Sequence, residues 1–403
     1  QGKLVKAEPL YQRLLEAKEE TLGGDDPETL SSVSELADLL KEMGKPVEAE
    51  SLYQRVLESR EGALGEDHAH TLASANSLAD ILRAQGKLED AEQLYQRVLE
   101  ARERTLGNDH QDTLTSLTHV ANLLTQLGEL DEAETMLNRV LEARTRMLGE
   151  SHPDTLESVR NLANLLNQQE KPGEAEQLCK ETLEAIESSL GEDHPDTLTC
   201  VCNLANIYRV QGKFDKAERQ YQRVLEARER TLGKDHPDTV MSVISLATIA
   251  KQRGELEDAE PLLQRALSAR NRTLGSDHPD TLASIQSLAT LLREMGRLSE
   301  AEPLYRRVLE SRERTLGEDH PSTLASILDL ANLLKQLGKI GEAEPLCKRA
   351  LLEMEWTLGV DHPDTLGGIN NLANLLCMQG KLDEAEPLYR RTMKAMARTL
   401  GSF

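Results

Sequence analysis

The chain has 403 residues, with 70 acidic against 47 basic side chains and a formal net charge of −23. That balance supplies no basic stripe of the strength nucleic acid requires, and an aromatic content of 2% leaves almost no stacking platform for single strands. No run of 18 apolar residues and no charged-then-apolar amino terminus occurs, so the sequence reads as soluble and cytoplasmic, with no membrane insertion.

A Leu-Gly glycine recurs at Gly23, Gly65, Gly107, Gly149, Gly191, Gly233, Gly275, Gly317, Gly359 and Gly401, always 42 residues apart. A fixed period of this size overrides the two or three globular domains that length alone suggests. It predicts one continuous stacked array over 1–403, about nine and a half units. The chain opens on Gln1 partway through a unit, which reads as a piece of a longer protein.

The unit from His194 to Leu232 shows what each half can form. Leu198, Val201, Leu204, Ala205 and Tyr208 recur at offsets of three and four, one face of a helix. His194 precedes a proline and is pushed out of the helical region, which makes it the N-cap, with Pro195 as the first helical residue and Asp196 favourable to the dipole. This first helix is expected to run to about Gln211, where Gly212 ends it. In the second half, Ala217, Tyr221, Val224, Leu225 and Leu232 share a face. Prolines Pro9, Pro261, Pro303, Pro345 and Pro387 are tolerable only in or next to the first turn of that helix, so it should not start much before Glu257 in its unit. Glu100 with Arg104, Glu226 with Arg230 and Glu310 with Arg314 are spaced for i, i+4 pairing. Each unit is thus two helices of about 17 residues, roughly 25 Å long, that bury their apolar stripes only by stacking on neighbours.

Leu204, Ala205, Gly212, Ala217, Tyr221 and Val224 reproduce the order and spacing of the tetratricopeptide repeat. The unit is eight residues longer than the usual 34. With its "LGEDHPDTL" and "QGKLDEAEPLYRR" signatures it resembles the kinesin light chain repeats and similar arrays at the end of some nucleotide-binding immune receptors. The resemblance covers the whole chain and implies an all-α, right-handed superhelical solenoid of antiparallel helix pairs, with nine first helices and ten second helices. Three local departures stand out. Glu170 replaces the turn glycine, so that turn is expected to be built differently; Gly62 lies inside a second helix; Gly367 and Gly368 are expected to mark a loosened end of the array.

Catalytic and cofactor chemistry is hard to place. The Gly-Lys pairs at Gly44, Gly86, Gly212, Gly338 and Gly380 lack the residues a phosphate loop needs. Eight histidines (His68, His110, His152, His194, His236, His278, His320 and His362) occupy one helix-start slot, about a helix-pair spacing apart, too far for two to share a metal. The five cysteines read as small buried or half-buried side chains in a reducing compartment, with Cys200 and Cys202 pointing apart on one helix. The Glu after Ala in each second helix recurs in every unit and therefore serves the scaffold. The chain is expected to be no enzyme and to take neither cofactor nor metal.

The slots that vary between units are the informative ones. One runs Ser34, Asn76, Thr118, Arg160, Cys202, Ile244, Gln286, Leu328, Asn370; its neighbour includes His119, Asn161, Asn203 and Asn371; the slot after Leu-Ala includes Asn122, Asn164, Asn206, Asn332 and Asn374. One turn on, Lys41, Arg83, Arg209, Lys251, Arg293 and Lys335 are basic. By the resemblance, matching slots line a concave surface. This gives an Asn-lined, locally basic groove suited to an extended peptide carrying Asp, Glu or a terminal carboxylate. The family's clamp for a chaperone's terminal carboxylate is incomplete: Arg160, Asn164 and Asn203 fit, but Met241 and Ser245 do not. The expected function is a monomeric adaptor that holds a protein or peptide partner. The alternatives are a sensor or assembly region of a nucleotide-binding switch protein, and a consensus-like scaffold with no native ligand.

Overall fold

In each repeat, the residue before the first helix decides where that helix starts. His194 holds extended backbone at φ −65° and ψ 140°, and its Nδ1 accepts from the Asp196 N–H at 3.3 Å. The same bond forms at all eight histidines of the slot, at 3.0–3.3 Å. In the first complete repeat Asp26 takes the role with its carboxylate, at 2.9 Å from the Glu28 N–H. Each cap satisfies an N–H that the helix itself leaves without a partner. In two repeats the buried threonine two residues after the proline ties the helix back to the preceding turn, Thr155 and Thr197 donating to the Gly149 and Gly191 carbonyls at 2.8 and 2.7 Å.

The computed structural model describes residues 4–360 and 362–400. These residues form 19 helices and no strand. In chain order they are α1 (Leu4–Leu22), α2 (Pro27–Glu42), α3 (Pro46–Leu64), α4 (Ala69–Ala84), α5 (Leu88–Leu106), α6 (Gln111–Leu127), α7 (Leu130–Leu148), α8 (Pro153–Gln168), α9 (Pro172–Leu190), α10 (Pro195–Val210), α11 (Phe214–Thr231), α12 (Pro237–Arg253), α13 (Leu256–Thr273), α14 (Pro279–Glu294), α15 (Leu298–Leu316), α16 (Pro321–Gln336), α17 (Ile340–Thr357), α18 (Pro363–Met378) and α19 (Leu382–Leu400). Even-numbered helices are the first of each pair and odd-numbered ones the second, so the protein is an all-α repeat solenoid. No described helix is long and apolar enough to cross a membrane.

The helices gather into two units. One spans Leu57–Thr273 and the other combines Gln1–Val56 with Leu274–Phe403. Within the 57–273 unit each helix from α4 to α13 packs on the next, and α8 also meets α10. Its core is the predicted stripe: Leu198, Val201, Leu204, Ala205, Tyr208, Ala217, Tyr221, Val224 and Leu225 are all buried. Leu232 departs from it and is 43% exposed, as are Leu64 and Leu106 of the same slot at 44%.

Within the other unit the early helices meet the late ones. α1 lies against α15, and His320 Nε2 is 3.1 Å from the Glu42 carbonyl. His320 Nδ1 is already taken as the acceptor of its cap bond, so Nε2 carries the proton and donates. At the neighbouring turn Gly44 adopts φ 73°, and a Cβ there would stand 2.1 Å from Pro321 Cδ. Both the positive φ and the close approach require glycine.

Several sequence expectations are corrected. Glu170 does not change its turn: it adopts φ 59° itself, the one non-glycine residue with positive φ among those described. Its bonds, Glu170 N–H to Asn167 and Lys171 N–H to Leu166, repeat those of Gly212 and Lys213 to Arg209 and Tyr208. The stacked helices on either side fix the turn, and the side chain tolerates it. The prolines lie next to the first turn as expected, with α13 starting at Leu256 and Pro261 its sixth residue, where the missing N–H leaves the Glu257 carbonyl without its regular helical partner. Gly367 and Gly368 do not loosen the array, because α18 runs through both without a break.

The arginines late in the second helices do not pair along their own helix. Arg104, Arg230 and Arg314 instead reach the preceding repeat's turn, at Asp67, Asp193 (2.6 Å) and Asp277 (2.7 Å). A second ladder joins Arg55 to Glu19, Arg97 to Glu61, Arg139 to Glu103 and Arg223 to Glu187. All these pairs are spaced by 36 or 37 residues and tie each repeat to the next.

Candidate peptide-binding surface

The slot after Leu-Ala faces the second helix of its own repeat. Where that helix carries tyrosine, the phenol donates to the slot: Tyr221 to Asn206 Oδ1 at 2.7 Å, Tyr389 to Asn374 Oδ1 at 2.6 Å, and Tyr53 and Tyr95 to Asp38 and Asp80. Tyr305 and Thr290 share a bond of 3.0 Å. A buried phenol needs such a partner, and the bond fixes the angle between the two helices of a pair. Asn206 and Asn374 therefore spend one carboxamide oxygen on the scaffold.

Four repeats lack the tyrosine. Leu137, Cys179, Leu263 and Cys347 stand opposite Asn122, Asn164, Thr248 and Asn332. At Cys179 the truncation opens a pocket of about 240 Å³ between α8 and α10. Arg160, Ala163 and Asn164 of α8, Cys179 of α9, and Asn203, Asn206, Ile207, Arg209 and Val210 of α10 line it. Five residues picked out from the sequence thus converge: Arg160, Asn164, Asn203, Asn206 and Arg209. The apolar floor comes from Cys179, whose thiol burial pushes up to about 12, so it stays protonated. A second pocket of about 260 Å³ shares Arg160 and Asn203 and is lined on its far side by Asp154, Glu157 and Asp196. Arg160 is exposed and pairs with Glu157 at 3.0 Å, a contact weak enough to exchange for a ligand. Arg209 is half-buried beside Tyr221, whose phenol burial pushes up to about 12.

The remaining sequence-predicted residues lie outside this lining. In the same unit Asn122 is exposed, and Asn161 and Lys251 are half-buried. His119 is half-buried with its ring edge-on to Tyr95, centroids 5.4 Å apart, and burial lowers its pKa. In the other unit Arg293 and Asn371 are half-buried, Lys335 donates to Asn332 Oδ1 at 3.3 Å, and exposed Asn374 accepts from Tyr389. Cys179 was missed from the sequence as a site residue. The signal was available in the tyrosine slot, where Tyr53, Tyr95, Tyr221, Tyr305 and Tyr389 recur at multiples of 42 and Cys179 interrupts them.

The tetratricopeptide repeat profile matches in overlapping pairs of repeats from residues 1–62 through 112–186 and 200–270 to 323–398, nearly the whole chain. The chain belongs to the tetratricopeptide repeat family. No curated protein sequence matches it. Among solved structures it is similar to a putative kinesin light chain from Podosopora anserina with nearly identical repeats, at 30% identity over 51% of this chain and 98% of that one, with a TM-score of 0.46. It is also similar to a signal transduction ATPase with a tetratricopeptide repeat sensor from Pyrococcus horikoshii, at 15% identity over 88% of this chain and 53% of that one, with a TM-score of 0.52. The apo quorum sensor NprR from B. thuringiensis matches at 14% identity over 94% of this chain and 99% of that one, with a TM-score of 0.50. At 14–15% identity the likeness is one of fold. Tetratricopeptide repeats are typically scaffolds for protein–protein interaction and generally carry no catalysis, and this array shares that architecture.

Proposed function

We propose that this tetratricopeptide array is a non-catalytic adaptor that holds an extended peptide segment of a partner protein across α8 and α10, with an acidic side chain or terminal carboxylate of the segment seated between Arg160 and Arg209. The observation that carries this reading is the pocket left by Cys179, where two guanidinium groups and three carboxamides meet over an apolar floor. Guanidinium groups bind carboxylates through paired, charge-assisted bonds, and carboxamides can both donate to and accept from a peptide backbone. The convergence of these groups on one pocket favours one anchored side chain over a diffuse electrostatic contact. Asn161 extends the surface on α8 itself and Lys251 on the flanking first helix α12.

The test is fluorescence anisotropy of labelled peptide arrays in which Asp and Glu positions are scanned to Asn and Gln. Acidic peptides are expected to bind, and Arg160→Glu with Arg209→Glu to abolish binding while the circular dichroism of the array is unchanged. Equal affinity of the double variant and the parent for every peptide would overturn the assignment.

A further inference from the structure

A different surface breaks the pattern of the repeats near the end of α17. In the slots of Leu352 and Trp356 other repeats carry a glutamate and an arginine: Glu100 and Arg104, Glu142 and Arg146, Glu226 and Arg230, Glu310 and Arg314. The third slot, Val360, is Glu66, Glu150, Glu192 or Glu318 in four repeats and Gly24, Asn108, Lys234 or Ser276 in four others. Two charged positions and a third that carries no other large apolar side chain have become apolar together in one repeat. The side chains are not hidden: Leu352, Trp356 and Val360 are 68%, 79% and 53% exposed. Leu352 and Trp356 stand one turn apart on α17, and Val360 follows the turn glycine Gly359. Trp356 is the only tryptophan of the chain.

The loss of the arginine also changes its neighbour. Arg146, Arg230, Arg272 and Arg314 each pair with the aspartate 37 residues earlier, Asp109, Asp193, Asp235 and Asp277, at 2.5–2.7 Å. Where the arginine slot holds Ser188, the aspartate slot holds Ser151, so both charges are lost together. Opposite Gly62, Asp25 is engaged elsewhere. At Trp356 the aspartate remains: Asp319 makes no ion pair among the described residues, and Glu318 beside it is exposed. A carboxylate stands where the architecture expects a guanidinium, next to a strip of exposed apolar side chains.

We infer that Leu352, Trp356 and Val360 with Asp319 form a second docking site, on the Leu-Gly turn edge of the array, for a partner segment that lays an aliphatic or aromatic side chain on Trp356 and places an arginine or lysine against Asp319. The partner's cation takes the position that Arg314 holds against Asp277. The charge of the surroundings selects against an acidic segment, so this site and the pocket at Cys179 call for opposite ligand chemistry. Aromatic and arginine pairs of this kind dominate small interfaces because a tryptophan contributes contact area at little entropic cost.

The experiment uses the 403-residue chain and two fluorescein-labelled synthetic amphipathic helices, identical except that one carries Arg and the other Glu beside a Leu and Phe face, followed by anisotropy. The Arg peptide is expected to bind saturably. Trp356→Arg, which restores the repeat's own ion pair with Asp319, is expected to abolish that binding, and Asp319→Asn to weaken it about ten-fold or more. Intrinsic emission of the parent chain, which reports on Trp356 alone, is expected to shift to shorter wavelength on titration with the Arg peptide. Equal binding of both peptides, or unchanged affinity in Asp319→Asn, would overturn the ionic half of the site. Absence of an emission shift would overturn the apolar half. Concentration-dependent dimerisation in sedimentation velocity that Trp356→Arg removes would assign the strip to a second copy of the chain, and would overturn the proposal.

Discussion

Arg144 at the end of α7 reaches into the next repeat and donates to Ser158 Oγ of α8 at 2.9 Å, and to the Asp154 carbonyl at 3.0 Å. The same pair recurs as Arg60 with Ser74, Arg102 with Ser116, Arg228 with Ser242 and Arg312 with Ser326. Where the arginine is Ile186 the serine is Cys200, and where it is Met354 the serine is Gly368, which packs under the Met354 sulfur. Polar partners are thus exchanged together for apolar ones.

Breaking one such pair should cost more than exchanging it whole. Arg144→Ile strips a charged bond from a buried position and is expected to destabilise by about 1.5–3 kcal/mol. Ser158→Cys alone leaves the buried guanidinium with only the Asp154 carbonyl as a strong acceptor and should cost about 1–3 kcal/mol. The double variant recreates the natural Ile186 and Cys200 pair, and urea denaturation should show a coupling of at least about 0.5 kcal/mol in its favour. Strict additivity would show that the two slots do not act on each other.

Restoring tyrosine at the Cys179 position separates stability from binding. Cys179→Tyr should fill the pocket and let the phenol donate to Asn164, as Tyr221 does to Asn206, raising stability by about 0.5–1.5 kcal/mol. The same variant should lose peptide binding in the anisotropy assay. A variant that is stabilised and still binds acidic peptides with parental affinity would place the ligand elsewhere.

At the turn of residue 170 the expected change is a gain. Glu170→Gly removes the cost of a left-handed backbone on a residue with a Cβ and should stabilise by about 1 kcal/mol, read as a higher urea midpoint. No gain would mean that the glutamate side chain compensates for its own strain.

Acid should release Glu176 from its lysine partners Lys180 and Lys213 in a defined window. Lys180, then Lys213, hold Glu176 down to about 2 from 4.5. Because the folded value lies below the unfolded one, the stabilisation is fully present above pH 4.5 and is lost as pH falls towards 2. Denaturation midpoints measured across that range should fall less steeply for Glu176→Gln than for the parent chain. Parallel curves would show that the two lysines do not stabilise the carboxylate.

Helix positions were legible in the sequence because each boundary is chemically marked, His194 with Pro195 at one end and Gly212 at the other. The contacts between repeats were not. Arg104 reads as the i, i+4 partner of Glu100 because that spacing lies within one helix, whereas Asp67 is 37 residues away and is brought near only by stacking. Glu170 misled for a related reason: local preference speaks against a left-handed glutamate, and the packed helices on either side overrule it. The site divides in the same way. Arg160, Asn164, Asn203, Asn206 and Arg209 were visible as varying polar slots on first helices. The space that gathers them was not, since it depends on the side chain missing from α9.

The Arg144 and Ser158 bond also says where one module of this chain stops and the next starts. Its partners lie on opposite sides of a Leu-Gly turn, so a duplication or deletion cut at Gly191 and Gly233 would leave Ile186 facing Ser242. A cut at the short turns, removing 171–212, takes Ile186 and Cys200 out together and leaves every other arginine–serine pair matched. For that pair the matched unit is the second helix of one hairpin joined to the first helix of the next, not the helix hairpin that the sequence displays. The same cut would set Arg230 opposite Ser151, whereas a cut at the Leu-Gly turns keeps the arginine–aspartate ladder matched, so the two ladders hold the array to different splice points.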